Sequence, residues 1–325
     1  MKVFKFLLLG IVLMFFLGGG LYYYEINMKK ITINKTVEFE KGERVGELLK
    51  KLGVKEDIFL KIYFRITGVS SEIKAGYYQL SDRYTVVELF QILKEGRTEM
   101  VKVTIPEGYT IKEIKKLLID KKMITEKEFQ LALNKVKFPY ITPNNNFEGY
   151  FFPDTYYFAK GSKADVIVNT FLGEFLKRYP VEKYGQSEEA KKDFYKKLIM
   201  ASIIEREAVL DKEKPIIASV FYNRLKRGMR LGSDATINYI FNYEKRRIYY
   251  KDLKIDSPYN TYKNYGLTPT PIGNPGKISI SASLNPAKTD YLFFVATYDG
   301  TQSHHFTKTY KEHMEYQRKN KNKPK

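Results

Sequence analysis

The chain has 325 residues, of which 43% are hydrophobic and 15% aromatic, enough to pack a core in two or three domains and to exclude a disordered chain. It has no cysteine, which excludes disulfides, thiolate metal sites, a cysteine nucleophile and a lipid-modified N-terminal cysteine. The formal charge of +19 is spread through a sequence rich in Lys, Asn, Ile and Tyr and is not gathered in one patch, so no nucleic-acid partner is expected. The N-terminus is the first informative segment. Lys2 and Lys5 precede Phe6 to Tyr24, a stretch without a charge and long enough to cross a hydrocarbon core of about 30 Å as a helix. Lys2 and Lys5 are expected to stay in the cytoplasm, which sends the rest of the chain outward. The alternative is a cleaved signal peptide, but Leu21-Tyr22-Tyr23-Tyr24 is a poor match to a small-residue cleavage site and suits an interfacial aromatic belt.

A loose repeat follows. "ERVGELLKKL", "YTVVELFQIL" and "YTIKEIKKLL" share Val/Ile, any residue, Glu, Leu/Ile, then Leu four residues on, starting at Val45, Val86 and Ile111. That spacing gives one buried stripe per helix. Each copy is preceded by an extended segment and a turn, "VEFEKG", "YYQLSD" and "VTIPEG", so the reading is three strand-turn-helix units. The offsets between copies are too uneven for a solenoid, and a small α+β region with a mixed sheet is expected. The first two units, about residues 36–98, resemble the LysM-like subdomain of membrane-anchored wall enzymes.

Near residue 140 the character changes. "ITPNNNFEGYFFPDTYYF" crowds aromatic residues around Glu148 and Asp154. Aromatic faces stack on sugar rings and carboxylates bind sugar hydroxyls, which fits a carbohydrate cleft; Phe151, Phe152, Tyr156 and Tyr157 packing a core fits equally well. Ser187 with Glu188 and Glu189 then starts a helix that the periodicity carries to about Leu210. Leu198, Ala201, Ser202, Glu205 and Ala208 share one face, and their small residues would leave room for a ligand. Glu207 is turned about 200° from Glu205, so only one of the two is expected to be chemical. A carboxyl group in apolar surroundings resists ionisation and suits a general acid. The simpler reading pairs Glu205 with a lysine or arginine.

Further strings follow in order. They are "SVFYNRLKRGMRLGSDATINYI", "SPYNTYKNYGLTPTPIGNPG", "SASLNPAKTDYLFFVA" and "SHHFTKTYKEH". With "ASIIEREA" and "FEGYFFPDTYYF" they closely resemble the MltG-type, or YceG-like, family of endolytic murein transglycosylases, densely from Val101 to Tyr316. The resemblance places the family's catalytic glutamate on Glu205. Two departures concern loops: Ala235 stands where the family usually has proline, and His305 is an extra histidine after His304.

Among the remaining motif residues, Ser257, Tyr259, Asn260 and Tyr262 of "SPYNTY" lie in a loop, either as sugar-binding groups or as a turn in which Asn260 bonds its own backbone. "GLTPTPIGNPG" reads as a stiff cleft wall. His304, His305 and His313 lack the further ligands a metal centre needs, so no metal and no cofactor is expected. "QRKNKNKPK" reads as a solvated basic tail.

The fold expected is thus α+β. It comprises a cytoplasmic N-terminus (1–5), a transmembrane helix (6–24), a linker (25–35), a LysM-like module (36–98), a linking strand-helix unit (99–140), a mixed α+β catalytic domain (141–316) and a basic tail (317–325). The resemblance implies cleavage between N-acetylmuramic acid and N-acetylglucosamine in nascent glycan strands, with 1,6-anhydro ends and an end to strand growth. It implies Glu205 as acid and then base, and location in the cell (inner) membrane. Peptidoglycan synthases and the elongation or division machinery are the partners it suggests. Glu148, Asp154, Asp234, Asn260 and Tyr262 are the candidates for positioning sugar. The rival readings are a non-catalytic wall-binding scaffold and a two-carboxylate muramidase.

Overall fold

The computed structural model of the chain describes residues 2–40, 42–96, 100–297 and 299–320, except for the side chains of residues 2–9, 11 and 12. Two compact units are present, one of Met1–Val103 with Tyr157–Ser162, the other of Thr104–Tyr156 with Lys163–Lys325.

In the first unit, α1 (Lys2–Tyr23) runs into a π-helical turn, Tyr24–Met28, and then into β1 (Ile31–Phe39). Among the described residues no helix is long and apolar enough to cross a membrane. The expected span, residues 6–24, lies partly on side chains outside the described ones. Residues 25–35, expected as a linker, are folded instead: Ile26 and Ile33 are each 2% exposed and belong to the unit's core. The alternation in "ITINKTVEF" explains this, since it turns Ile33, Val37 and Phe39 to one side of the strand.

β1 pairs antiparallel with β2 (Gly76–Tyr84), Ile31 facing Tyr84 and Phe39 facing Gly76. Helices α2 (Val45–Leu52), α3 (Ile58–Thr67) and α4 (Val86–Glu95) supply Leu48, Leu60, Tyr63, Leu89 and Phe90 to the same core. α2 and α4 begin at the first residue of the repeated pattern. Thr85 explains the start of α4: its hydroxyl accepts from Glu88 N at 3.2 Å while Glu88 Oε2 accepts from Thr85 N at 2.8 Å, a capping box. Residues 157–162 complete the unit. The side-chain carbonyl of Gln79 accepts from Ala159 N at 2.9 Å and from Ser162 Oγ at 2.7 Å, and Tyr157 stacks on Tyr77 with 5.8 Å between ring centres.

The strands described do not form the mixed sheet expected. β3 (Met100–Thr104) pairs with β4 (Thr155–Ala159), and β5 (Phe293–Ala296) with β6 (His304–Thr307), giving three separate two-stranded sheets. With nine residues in each strand, the β1–β2 ribbon already offers an apolar row for α2 and α4 to cover, so no third strand is required.

The second unit is mainly helical. α5 (Ile111–Asp120) and α6 (Glu126–Lys135) each start with a Thr-x-x-Glu capping box, at Thr110 and Thr125. They are followed by α7 (Ala164–Arg178), α8 (Val181–Tyr184), α9 (Glu188–Glu207), α10 (Lys214–Lys226), α11 (Asp234–Ile240), α12 (Lys277–Leu284) and α13 (Tyr310–Asn320). Residues 317–320 of the expected tail thus continue α13, and residues 321–325 lie outside the described ones. The aromatics near residue 150 pack inward. Phe151, Phe152 and Tyr156 are buried, and Tyr150 lies 5.0 Å from Phe175 in an edge-to-face contact, so only Tyr157 of the four candidates keeps an exposed ring.

Candidate active site

α9 delivers the central acid. Ser187 caps it by accepting from Ala190 N at 3.1 Å, and every residue from Leu198 to Ile204 is buried. The helix ends earlier than its apolar pattern suggests because Ala208 is extended. The face with Ala201 and Ser202 is covered by protein where room for a ligand was expected: both residues are buried, and Ser202 Oγ accepts from the buried Ile272 N at 2.9 Å. A small-residue face admits close backbone approach as readily as it admits a ligand. Only Glu205, at the last turn of the helix, emerges beside the loop that carries Ile272.

Glu205 has a side chain 7% exposed. Its Oε1 accepts from Lys214 Nζ at 3.1 Å and its Oε2 from Gly276 N at 2.8 Å. Lys214 opens α10, ahead of a proline suited to a helix start, and is itself buried. Its ammonium also lies 3.0 Å from Asp211 and 3.8 Å from Glu107. Burial works against its charge, yet the carboxylates of Glu205, Asp211 and Glu107 hold Lys214 above its ordinary pKa.

Glu107 comes from the "PEG" turn before α5, and half of its side chain is open to solvent. Two backbone hydrogen bonds place it. Gly108 N donates to Asn274 O at 2.7 Å and Asn274 N donates to Tyr109 O at 2.8 Å, joining the turn to the Gly273–Gly276 loop. Neither glycine of that loop has room for a side chain. A Cβ on Gly276 would stand 1.8 Å from Glu107 Oε1, and one on Gly273 would stand 2.4 Å from the carbonyl oxygen of Gly108. Partial burial, and next the charge of Glu205, raise the Glu107 pKa, with Lys214 opposing. The site is therefore three carboxyl groups within reach of one ammonium, and of these Glu107 has its pKa raised.

Around this centre, the 3₁₀ turn Asp211–Glu213 faces two ways. Asp211 meets Lys214, while Glu213 accepts from His304 N at 3.0 Å and shares a 2.7 Å hydrogen bond with His304 Nδ1. His304 thereby ties β6 to the turn that carries Lys214. Arg206, next to Glu205, stacks on Tyr243 at 3.7 Å and reaches Glu113 at 3.4 Å.

Glu207 points elsewhere. Its Oε1 accepts from the Ser233 hydroxyl, and burial raises its pKa despite that bond. Asp234, the next residue after Ser233, accepts from Tyr262 OH at 2.7 Å. Burial and, after it, the Asp234 carboxylate raise the pKa of Tyr262. Asn260 is wholly buried, donating to Leu253 O and Ile255 O at 2.9 and 2.8 Å and accepting from Tyr262 N at 2.9 Å. It shapes the loop that carries Tyr262, as the turn reading of "SPYN" expects.

Glu148 is also interior. Its Oε1 accepts from Ile111 N at 3.0 Å and from Asn274 Nδ2 at 3.1 Å, and burial pushes its pKa up to about 8. It joins the start of α5 to the loop beside Glu205. Asp154 pairs at the surface with Arg178 at 2.8 Å and caps its own turn through Thr155 N. The structure thus brings Asp234 together with Tyr262, and Glu148 together with the Gly273–Gly276 loop. Glu107, Asp211 and Lys214, which surround Glu205, were not singled out by the sequence.

Comparisons with known proteins agree over most of the chain. The YceG-like family model matches residues 36–319. An endolytic murein transglycosylase of Bacillus subtilis (strain 168) is 38% identical over 290 residues, covering 83% of this chain and 79% of that protein. An endolytic murein transglycosylase of Streptococcus pneumoniae (strain ATCC BAA-255 / R6) is 29% identical over 306 residues, 84% of this chain and 55% of that longer protein. A crystal structure of a yceG-like protein from Listeria monocytogenes superposes with a TM-score of 0.57 at 31% identity, covering 86% of this chain and 98% of that one.

Proposed function

The chain belongs to the YceG-like family, and on that premise we propose that it is an endolytic murein transglycosylase, a lyase that cuts peptidoglycan strands internally. The bond cleaved joins N-acetylmuramic acid to N-acetylglucosamine, the new ends are 1,6-anhydro-N-acetylmuramic acid, and strand growth stops there. The observation that supports this chemistry best is the pair of carboxyl groups, Glu205 and Glu107, gathered on the Lys214 ammonium at 3.1 and 3.8 Å.

Glu205 is the catalytic group. The raised pKa of Glu107 keeps a proton at the site, available to Glu205 as acid in one step and recovered by it as base in the next. In the first step the proton passes through Glu205 to the leaving glycosidic oxygen as the C1–O bond breaks. The N-acetyl group of the muramic acid supports the positive charge at C1. In the second step the C6 hydroxyl bonds to C1 and its proton returns to Glu205. The attack is intramolecular, where effective concentrations reach about 10⁵–10⁸ M, so water need not enter. Lys214 and the Gly276 N–H keep Glu205 in place through both steps.

Asp234 with Tyr262, and Asp154, are the surface groups that position sugar. Glu148 and Asn260 act from the interior, by holding the loops that line the site. The LysM-like module is residues 36–98 together with 25–35 and 157–162, which complete it, and the catalytic unit takes in the turn at Glu107 as well as residues 141–156 and 163–316. α1 anchors the chain in the cell membrane, with Lys2 and Lys5 inside and the remainder outside, beside the synthases that extend glycan strands.

One observation favours a second reading. Glu107 gives Glu205 a carboxyl neighbour, which a muramidase acting by hydrolysis would use. Product analysis separates the two. Purified protein acting on uncrosslinked strands in ¹⁸O-water is expected to leave anhydro ends without label. Label in every new end would establish the hydrolase, and intact strands would leave a scaffold.

A further inference from the structure

α3 turns three isoleucines to solvent. Ile58, Ile62 and Ile66 are 65%, 39% and 70% exposed. At a spacing of four residues they form a single stripe along the helix. The helix already has a core face, on which Leu60 and Tyr63 are buried, so the stripe is a second apolar surface. Lys61 and Arg65, both exposed, stand beside it. An apolar stripe edged by basic side chains is the pattern of a helix lying in a lipid interface.

The same unit holds the apolar N-terminal helix. Leu13, Met14, Phe15, Phe16 and Leu17 of α1 are all exposed. α1 passes without a linker into the turn Tyr24–Met28, whose Ile26 lies in the same core as Leu60 and Tyr63. α3 packs directly on that turn. Exposed Tyr23, Tyr24 and Met28 continue the apolar surface at the junction. Whatever bilayer receives α1 therefore has α3 beside its surface, with no slack between them.

We propose that α3 is an interfacial helix: Ile58, Ile62 and Ile66 enter the outer surface of the membrane that holds α1, and Lys61 and Arg65 meet the phosphates of anionic lipid headgroups. The proposal rests on the reading of α1 as an anchor. It gives the first unit a second attachment, which fixes its orientation on the bilayer where a single helix would leave it free to swivel.

The chain contains no cysteine, so single cysteines can be introduced without removing others. The full chain is reconstituted into vesicles of phosphatidylcholine and phosphatidylglycerol as Phe16→Cys, Ile62→Cys, Ile66→Cys or Lys127→Cys, each carrying an environment-sensitive fluorophore. Probes at positions 16, 62 and 66 are expected to be quenched several-fold more by spin-labelled acyl chains than the reference at 127, and to resist aqueous iodide. Lipid quenching at 16 with iodide quenching at 62 and 66 would overturn the docking of α3 and leave the anchor standing. Iodide quenching at 16 would overturn both. Probes at 62 and 66 shielded from both quenchers would mean that protein covers the stripe, a second copy included, and would also overturn the proposal.

Discussion

Gly276 gives its backbone N–H to Glu205 Oε2 at 2.8 Å, and its missing side chain is the space that the Glu107 carboxyl occupies. One residue thus sets both acids of the site. Gly276→Ala should push Glu107 aside, because the atom in the way is the far end of a flexible side chain. Gly273→Ala meets the backbone of Gly108, which cannot yield in the same way. The expected result is a Gly276→Ala protein that melts near the parent temperature and has lost about tenfold or more in kcat/KM. Gly273→Ala should be destabilised by about 2 kcal/mol or more. Full activity in Gly276→Ala would remove Glu107 from the mechanism.

Glu205→Gln is expected to lower strand cleavage by about 10²–10⁴, the usual contribution of general acid-base catalysis, with the melting temperature held. Glu207→Gln should keep most activity, since glutamine can still accept from the Ser233 hydroxyl. Cleavage assays beside thermal melts decide it, and residual turnover above a few per cent in Glu205→Gln would move the catalytic role elsewhere.

The pH profile tests the carboxyl pair. Glu107 has a raised pKa, so it keeps its proton further up the pH scale than an ordinary glutamate and loses it as pH climbs. The alkaline limb of kcat/KM reports loss of the pair's last proton. Glu107→Gln removes one of the two like charges, so that limb should move toward lower pH. An unmoved limb would mean that Glu107 plays no part in the proton's position.

Glu148 predicts a slope in stability. Its folded pKa of about 8 lies well above the ordinary 4.5, so between those values the folded chain binds more protons than the unfolded one. This raised pKa makes a contribution that is complete below about pH 4.5 and is lost as pH rises through about 8. The slope inside the window is on the order of 1.4 kcal/mol per pH unit. Glu148→Gln keeps an acceptor for Ile111 N and Asn274 Nδ2 but cannot ionise. Denaturant titrations from pH 5 to pH 8 should show a flatter profile for the variant and greater relative stability at the alkaline end. A parallel pair of profiles would place the proton elsewhere.

Local order was open to reading from the sequence, and long-range apposition was not. α4 and α5 start where "YT" is followed by Glu three residues on, because the threonine cap and the glutamate satisfy the same helix end. The cap at Ser187 and the opposed directions of Glu205 and Glu207 follow from chain geometry in the same way. Glu107 lies about a hundred residues before Glu205 in a turn with no periodic signal. It reaches the site through the backbone pairing of Gly108 and Tyr109 with Asn274, which no local pattern encodes. Lys214 sits in "DKEK", where nothing distinguishes the buried lysine from exposed Lys212. The apolar "AVL" after Glu207 concealed the end of α9 for the same reason: composition does not register one extended residue.

Gln79 waits for partners that come much later in the chain. The groups that bond its side chain, Ala159 N and Ser162 Oγ, follow the whole first part of the second unit, Thr104–Tyr156. A chain made or exported from its N-terminus cannot finish its first unit first. β1, β2 and their helices can assemble early, but the ribbon's half-buried Gln79 carbonyl exchanges water for its protein partners only when residues 157–162 arrive. Completion of the first unit is thereby scheduled after "FEGYFFPD" has emerged, so a chain cut short before that point lacks a finished unit at either end.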